Sequence, residues 1–151
     1  MTSKTRLLFA FLLATIALLG NMLPAYGNGN GNNCSFKVNG LSMSFGELNP
    51  SSGFNMPGPL SGASTVGDCA PGQDMKISGD DGKNFFNGTR HLKGDTGDLI
   101  PYSLPDLPKI QRGPGNGNYV PVQFSGLILW SAYANAPAGH YSDTVIISVT
   151  P

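Results

Sequence analysis

A chain of 151 residues with nine basic and nine acidic side chains, and only 12% charged residues, carries no electrostatic footprint for nucleic acid or an anionic membrane surface. Its 21 glycines and 12 prolines argue against helical architecture and fit short strands joined by many turns, so the expected fold class is all-β. The length is that of one domain.

The chain opens with the pattern of an export signal. Lys4 and Arg6 form a short basic start, and Leu7 begins an apolar run of thirteen residues that ends at Leu19. Small residues follow, with Ala25 and Gly27 placed for a signal peptidase. The run is too short to span a bilayer, so a membrane-spanning protein is not expected. Residues 1–27 are read as a signal peptide, with cleavage after Ala25 or Gly20 as alternatives. No cysteine follows the run directly, which argues against a lipid anchor. Removal of Lys4 and Arg6 leaves seven basic against nine acidic residues. The mature protein is expected to be secreted, exported through the periplasm to the cell surface or an extracellular fibre.

Residues 28–33 read Asn-Gly-Asn-Gly-Asn-Asn, a flexible lead-in with no side chain to bury; the domain proper is expected over 34–151. The only two cysteines, Cys34 and Cys69, point to a disulfide in an exported chain, the alternative being two free thiols. The 36-residue loop it closes would contribute roughly 3–4 kcal/mol on a chain-entropy account.

Cys34, Phe36 and Val38 alternate with polar residues, Asn39-Gly40 is a hairpin signal, and Leu41, Met43 and Phe45 alternate again. Residues 49–62 hold three prolines and read as a long loop. Strand patterns resume at 64–69 and 74–78, a turn follows at 79–82, and Phe85-Phe86 and 90–93 then offer two more short extended pieces. Residues 99–104 form a better strand, and Pro101 argues for an edge or bulge. Residues 105–117 read as another loop, and strands are expected at 119–124 and 127–133. The second of these is apolar on both faces and holds the sole tryptophan, Trp130, expected in the core.

The last strand is the clearest. From Tyr141 the chain is dense in β-branched residues, with Val145, Ile147 and Val149 on one face and Thr144, Ser148 and Thr150 on the other. Seven or eight short strands without helical periodicity beyond the leader predict a β-sandwich. A chain that ends on a long half-buried strand either has a neighbour on each side of it or leaves a row of backbone donors and acceptors unpaired.

No chemistry emerges from the polar residues, so no enzyme, cofactor or metal is expected. His91 and His140 read as surface residues with no nucleophile signature near them. No His-x-x-His or Cys-x-x-Cys spacing suggests a metal. Asp80-Asp81-Gly82 lacks the remaining acceptors of a calcium loop and reads as a solvated turn. Asn87-Gly88-Thr89 is a formal glycosylation sequon.

One combination is more specific. Cys34-x-Phe36-x-Val38-x-Gly40, then Met43-Ser44-Phe45-Gly46 and Asn49-Pro50, precede Cys69. Ile77-Ser-Gly-Asp-Asp-Gly82, Arg90-His-Leu-Lys93 and Asp98-Leu-Ile-Pro-Tyr102 follow, and Gly139-x-Tyr141-x-Asp143-Thr-Val145 opens the closing strand. This order resembles the spore coat protein U domain family, which includes subunits of archaic chaperone-usher pili. The resemblance covers Cys34 to Pro151.

It implies an immunoglobulin-like sandwich that lacks its last strand and is completed by donor-strand complementation. The implied partners are a periplasmic pilus chaperone, an outer-membrane usher and other pilus subunits, in a fibre or coat serving adhesion or biofilm formation. The acceptor groove and chaperone contact would then include Val145, Ile147 and Val149, with Phe36 and Val38 opposite. Residues 28–33 lack the alternating apolar residues of a donor strand, so the subunit is expected to accept a strand without donating one, as a tip or terminal subunit. The alternative reading is a stand-alone secreted module that binds carbohydrate or another surface; a hydrolase is more remote.

Overall fold

The computed structural model describes residues 12–20, 35–67, 70–115 and 118–150, with the backbone alone for 12–20, 35–36, 38–40 and 63–66. Cys34 and Cys69 lie outside the described residues. Among these residues are ten strands and one short helix: β1 (Leu12–Gly20), β2 (Ser35–Leu48), β3 (Met56–Gly67), β4 (Asp74–Gly79), β5 (Arg90–Gly94), β6 (Leu99–Tyr102), β7 (Lys109–Arg112), β8 (Tyr119–Pro121), β9 (Ser125–Ile128), α1 (Trp130–Tyr133) and β10 (His140–Thr150). The fold is an all-β sandwich.

The main hydrogen-bonded path runs β6-β5-β10-β1-β2-β3-β8, with β4 joining β10 to β7 and β9 joining β3. The long strands change neighbours along their length. β10 pairs with β5 at Tyr141 and Ser142 and with β4 from Ile147 to Thr150. β3 pairs with β9 from Met56 to Pro59 and with β2 from Leu60 onward. This sharing lets the two layers enclose one core, and period-two alternation supplies it. Leu41, Met43, Phe45 and Leu48 of β2, Met75 and Ile77 of β4, Ile100 and Tyr102 of β6, and Tyr141, Val145 and Ile147 of β10 are all buried.

Several local expectations give way to tertiary context. Asn39-Gly40 is not a hairpin turn: β2 runs through it, and the register with β3 shifts between Asn39 and Ser42. One extra residue on β2 there is a bulge, and it carries the apolar alternation from even positions (Phe36, Val38) to odd ones (Leu41, Met43, Phe45). The Asn-Gly turn that does form is Asn87-Gly88, with φ of 48° and 78° and reciprocal 3.0 Å bonds between the Phe86 and Thr89 backbones. Positive φ at both central positions is what a tight hairpin requires.

The loop expected over 49–62 is shorter. A turn at Asn49 to Ser52 leads into β3, which contains Pro57 and Pro59. Both are exposed, in the part of β3 whose one partner is β9, so no ladder bond is lost on the side without a partner. Residues 109–112, also expected in a loop, form β7 because β4 offers its edge. Pro101 lies in β6 at the end of the main path, as its missing N–H demands.

The strand expected over 127–133 ends at Ile128, and the chain turns into α1. Trp130, expected in the core, is 39% exposed, whereas Tyr133 is fully buried. The loop over 49–55 supplies the reason. Trp130 donates its backbone N–H to Asn55 Oδ1 at 2.9 Å and its indole N–H to the Pro50 carbonyl at 2.8 Å, and Tyr133 Oη donates to the Phe54 carbonyl at 2.5 Å. These partners exist only once β3 is in place.

Close packing at Gly126 gives a direct test of the core. A Cβ there would lie 2.5 Å from Met43 Sδ and 2.6 Å from Phe45 Cζ. Gly126→Ala is expected to destabilise the fold by about 1–3 kcal/mol, the range for overpacking a dense interior, read as a lowered thermal midpoint.

Candidate strand-acceptor groove

The last strand lies between two differently filled edges. On one side its backbone is satisfied by β5 at the start, by β4 at the end, and between them by the loop over 80–84. Asp80 N–H donates to the Ile146 carbonyl at 2.9 Å, Lys83 N–H to the Thr144 carbonyl at 2.9 Å, and Asn84 Nδ2 to the Ser142 carbonyl at 3.0 Å. Asp80 Oδ1 accepts from Ile146 N–H at 2.9 Å and Gly82 N–H at 3.0 Å. The solvated turn expected at 80–82 is therefore a clip along β10. Arg90 holds the clip, donating from Nε to the Asp80 carbonyl at 2.7 Å and from Nη2 to the Gly79 carbonyl at 3.1 Å.

On the other side, β10 does not meet β2. β1 lies between them, parallel to β10 from Leu13 opposite His140 to Gly20 opposite Ile147, and antiparallel to β2 from Leu12 opposite Leu48 to Ala17 opposite Ser42. The groove is thus a strand-wide slot with β10 as one wall and residues 42–48 of β2 as the other. Its occupant is drawn from the apolar run at the head of the chain.

Val145 and Ile147 are buried on the inward face of β10, and Val149 packs partly buried against the same core. Phe36 and Val38 are placed differently from the expectation. They pair with Val66 and Ser64 of β3, beyond the bulge, while the stretch of β2 that borders β1 is 42–48. The bulge moves the wall because the odd-numbered apolar residues beyond it, Met43 and Phe45, fall within that stretch.

A buried polar cluster supports this wall and was not expected from the sequence. Asp143, 3% exposed, accepts at Oδ1 from Asn84 N–H and Nδ2, each at 3.1 Å, and at Oδ2 from Tyr102 Oη at 2.7 Å. The signal was present: Asp143 shares parity with Tyr141, Val145 and Ile147, and an acid on a buried face demands partners. The partners themselves lie 41 and 59 residues away.

Burial, and then the hydrogen bond to Asp143 and its charge, push the Tyr102 hydroxyl well above the ordinary phenol value. A phenol whose folded pKa exceeds its unfolded one contributes full stability below the unfolded value, near 10, and loses it as pH rises toward the folded value. Stability is expected to fall above about pH 10. Tyr102→Phe should flatten that alkaline slope in urea titrations run across pH, at a cost near neutrality of about 1–3 kcal/mol.

An open depression of about 380 Å³ is lined in part by Asp106, Lys109 and Ser125. Asp106 accepts both the backbone N–H and the hydroxyl of Ser125 at 2.8 Å, which holds its carboxyl below the usual range. Neither histidine lines this depression. His91 is half-buried, with its Nδ1 unpartnered among the described residues, and His140 is exposed at the start of β10. Among the described residues no His, Cys, Asp and Glu side chains converge as metal ligands, and no helix is long and apolar enough to cross a membrane. No protein-family model matches the chain, and no curated protein matches it in sequence.

Proposed function

We propose that this protein is a secreted, non-enzymatic subunit of a chaperone-usher pilus or coat, which acts by accepting a strand into the slot between β2 and β10. One observation carries the reading: the two walls of the slot do not pair with each other, and the strand between them, Leu12–Gly20, comes from the apolar run that we read as an export signal. Once the leader is removed, the inner faces of Met43, Phe45, Val145 and Ile147 border an empty strand position. A gap of that kind exposes two backbone edges and apolar surface, and both invite an added strand.

A periplasmic chaperone would fill the slot first, and a neighbouring subunit would replace it at the outer-membrane usher. The resemblance of residues 34–151 to the spore coat protein U domain family supports the same assignment. Because residues 28–33 offer no apolar alternation, the subunit accepts without donating and would end a fibre; finding it repeated along a pilus shaft would overturn that position.

The test is co-expression of residues 28–151 with a candidate periplasmic chaperone, followed by pull-down and size-exclusion chromatography. The expected result is a one-to-one complex, with little soluble protein when the chaperone is withheld. A stable monomer made alone would favour the second reading, a free-standing module that binds carbohydrate or another surface. That reading draws on the exposed Phe54, Leu129 and Trp130, carried by a loop and a helix joined through hydrogen bonds.

A further inference from the structure

The strand in the groove is not a generic filler. Parallel pairing in register sets Ala14 beside Tyr141, Ile16 beside Asp143, Leu18 beside Val145 and Gly20 beside Ile147, and all four partners on β10 are buried. Between them, Leu13 and Thr15 fall beside the exposed His140 and Ser142. Small residues thus sit at the levels of Tyr141 and Ile147, and branched apolar ones at the levels of Asp143 and Val145. An export signal needs only an apolar run; it does not need this order of sizes.

The same segment closes both open edges at once, reaching β2 through Leu12 to Ala17. Main-chain bonds to two neighbours give strand addition its affinity, and alternate side-chain positions give it selectivity.

From this we infer that the leader segment Leu12–Gly20 is the groove's first occupant: the uncleaved precursor is complemented in cis, and removal of the leader is the step that makes the groove receptive to a partner strand. The inference rests on the strand-acceptor reading above. While the leader is attached, neither sheet edge is available to a chaperone or to a second copy. Cleavage ends the covalent tether, so the segment's effective concentration at the slot falls and a strand in trans can compete.

The experiment refolds the 151-residue chain and residues 28–151 from denaturant under oxidising conditions at equal concentration. Monomer is read by size-exclusion chromatography and stability by thermal melting. The full chain is expected as a monomer with a cooperative melt, and residues 28–151 are expected to lose the monomer peak to aggregate. A synthetic Leu12–Gly20 peptide with terminal lysines should restore monomer, with a melting midpoint that rises with peptide concentration. In the full chain, Leu18→Asp should reproduce the loss, whereas Thr15→Asp should leave the monomer intact. If the full chain aggregates like the truncated one, if the peptide fails to restore monomer, or if the two Asp variants behave alike, the cis-complementation inference falls. Rescue of residues 28–151 by a chaperone alone would then leave the strand-acceptor reading standing. If residues 28–151 refold unaided into a stable monomer, both fall.

Discussion

Val145→Asp in the 151-residue chain is expected to abolish cooperative folding. Val145 is fully buried, and its methyl groups lie against the backbone of Gly79 and Gly82, where an added Cβ would come within 3.1 Å and 3.4 Å of them. Losing that burial costs about 1.5–3 kcal/mol, and placing an unpaired carboxylate there adds several kcal/mol more. Together these approach the whole net stability of a small domain, about 5–15 kcal/mol. Ser148→Asp, on the exposed face of the same strand, should stay within about 0.5 kcal/mol. Far-UV circular dichroism and soluble yield of the two variants decide the matter. Equal behaviour would mean that the inward parity of β10 is wrong, and with it the wall of the groove.

Asp143→Ala is the second large effect expected. The substitution removes the acceptor of the Tyr102 hydroxyl and of two Asn84 donors. The buried Tyr102 hydroxyl left unsatisfied costs about 1–3 kcal/mol, and Asn84, half-buried and still bonded through Nδ2 to the Ser142 carbonyl, adds less, so a total loss of about 2–3 kcal/mol is expected in urea unfolding. Asp143→Asn keeps the shape and one acceptor oxygen and should lose less. Combining Asp143→Ala with Tyr102→Phe should recover part of the loss, because the pair then has neither donor nor acceptor to satisfy. A single-variant loss below about 0.5 kcal/mol would remove the cluster from any role in holding β10.

How much of this was legible depended on how local the cause was. The parity of β10 is written in residues 141–149 themselves, since alternation on a strand needs no distant partner to be recognised. The edge position of Pro101 follows equally from its own missing N–H. The two Asn-Gly pairs among the described residues show where local chemistry stops deciding. Asn87-Gly88 makes its hairpin because the residues flanking it pair with each other. Asn39-Gly40 does not, because its flanks pair with β3, and a bulge absorbs the same dipeptide.

Trp130 and residues 109–112 depart from their local patterns for the same reason. The hydrogen-bond partners of Trp130 sit on a loop 75 and 80 residues earlier, and β7 exists by virtue of the edge that β4 presents. Asp143 could be recognised as an anomaly on an apolar face, but Tyr102 and Asn84 could not be chosen from the many donors available. Phe36 and Val38 have the composition of a groove wall, yet the bulge that follows them gives that place to the 42–48 stretch.

The sequence by itself determined an all-β chain, the face of its closing strand, an apolar run at 7–19 and an Asn/Gly stretch at 28–33 with no apolar alternation. These are properties of short windows, set by side-chain periodicity and composition. The tertiary structure alone decided that β2 and β10 stand apart with one strand position between them, and that Leu12–Gly20 takes it, in continuous register with β10 and with a register shift against β2. Pairing across a sheet joins residues more than a hundred positions apart, and which edges meet depends on how the whole core closes.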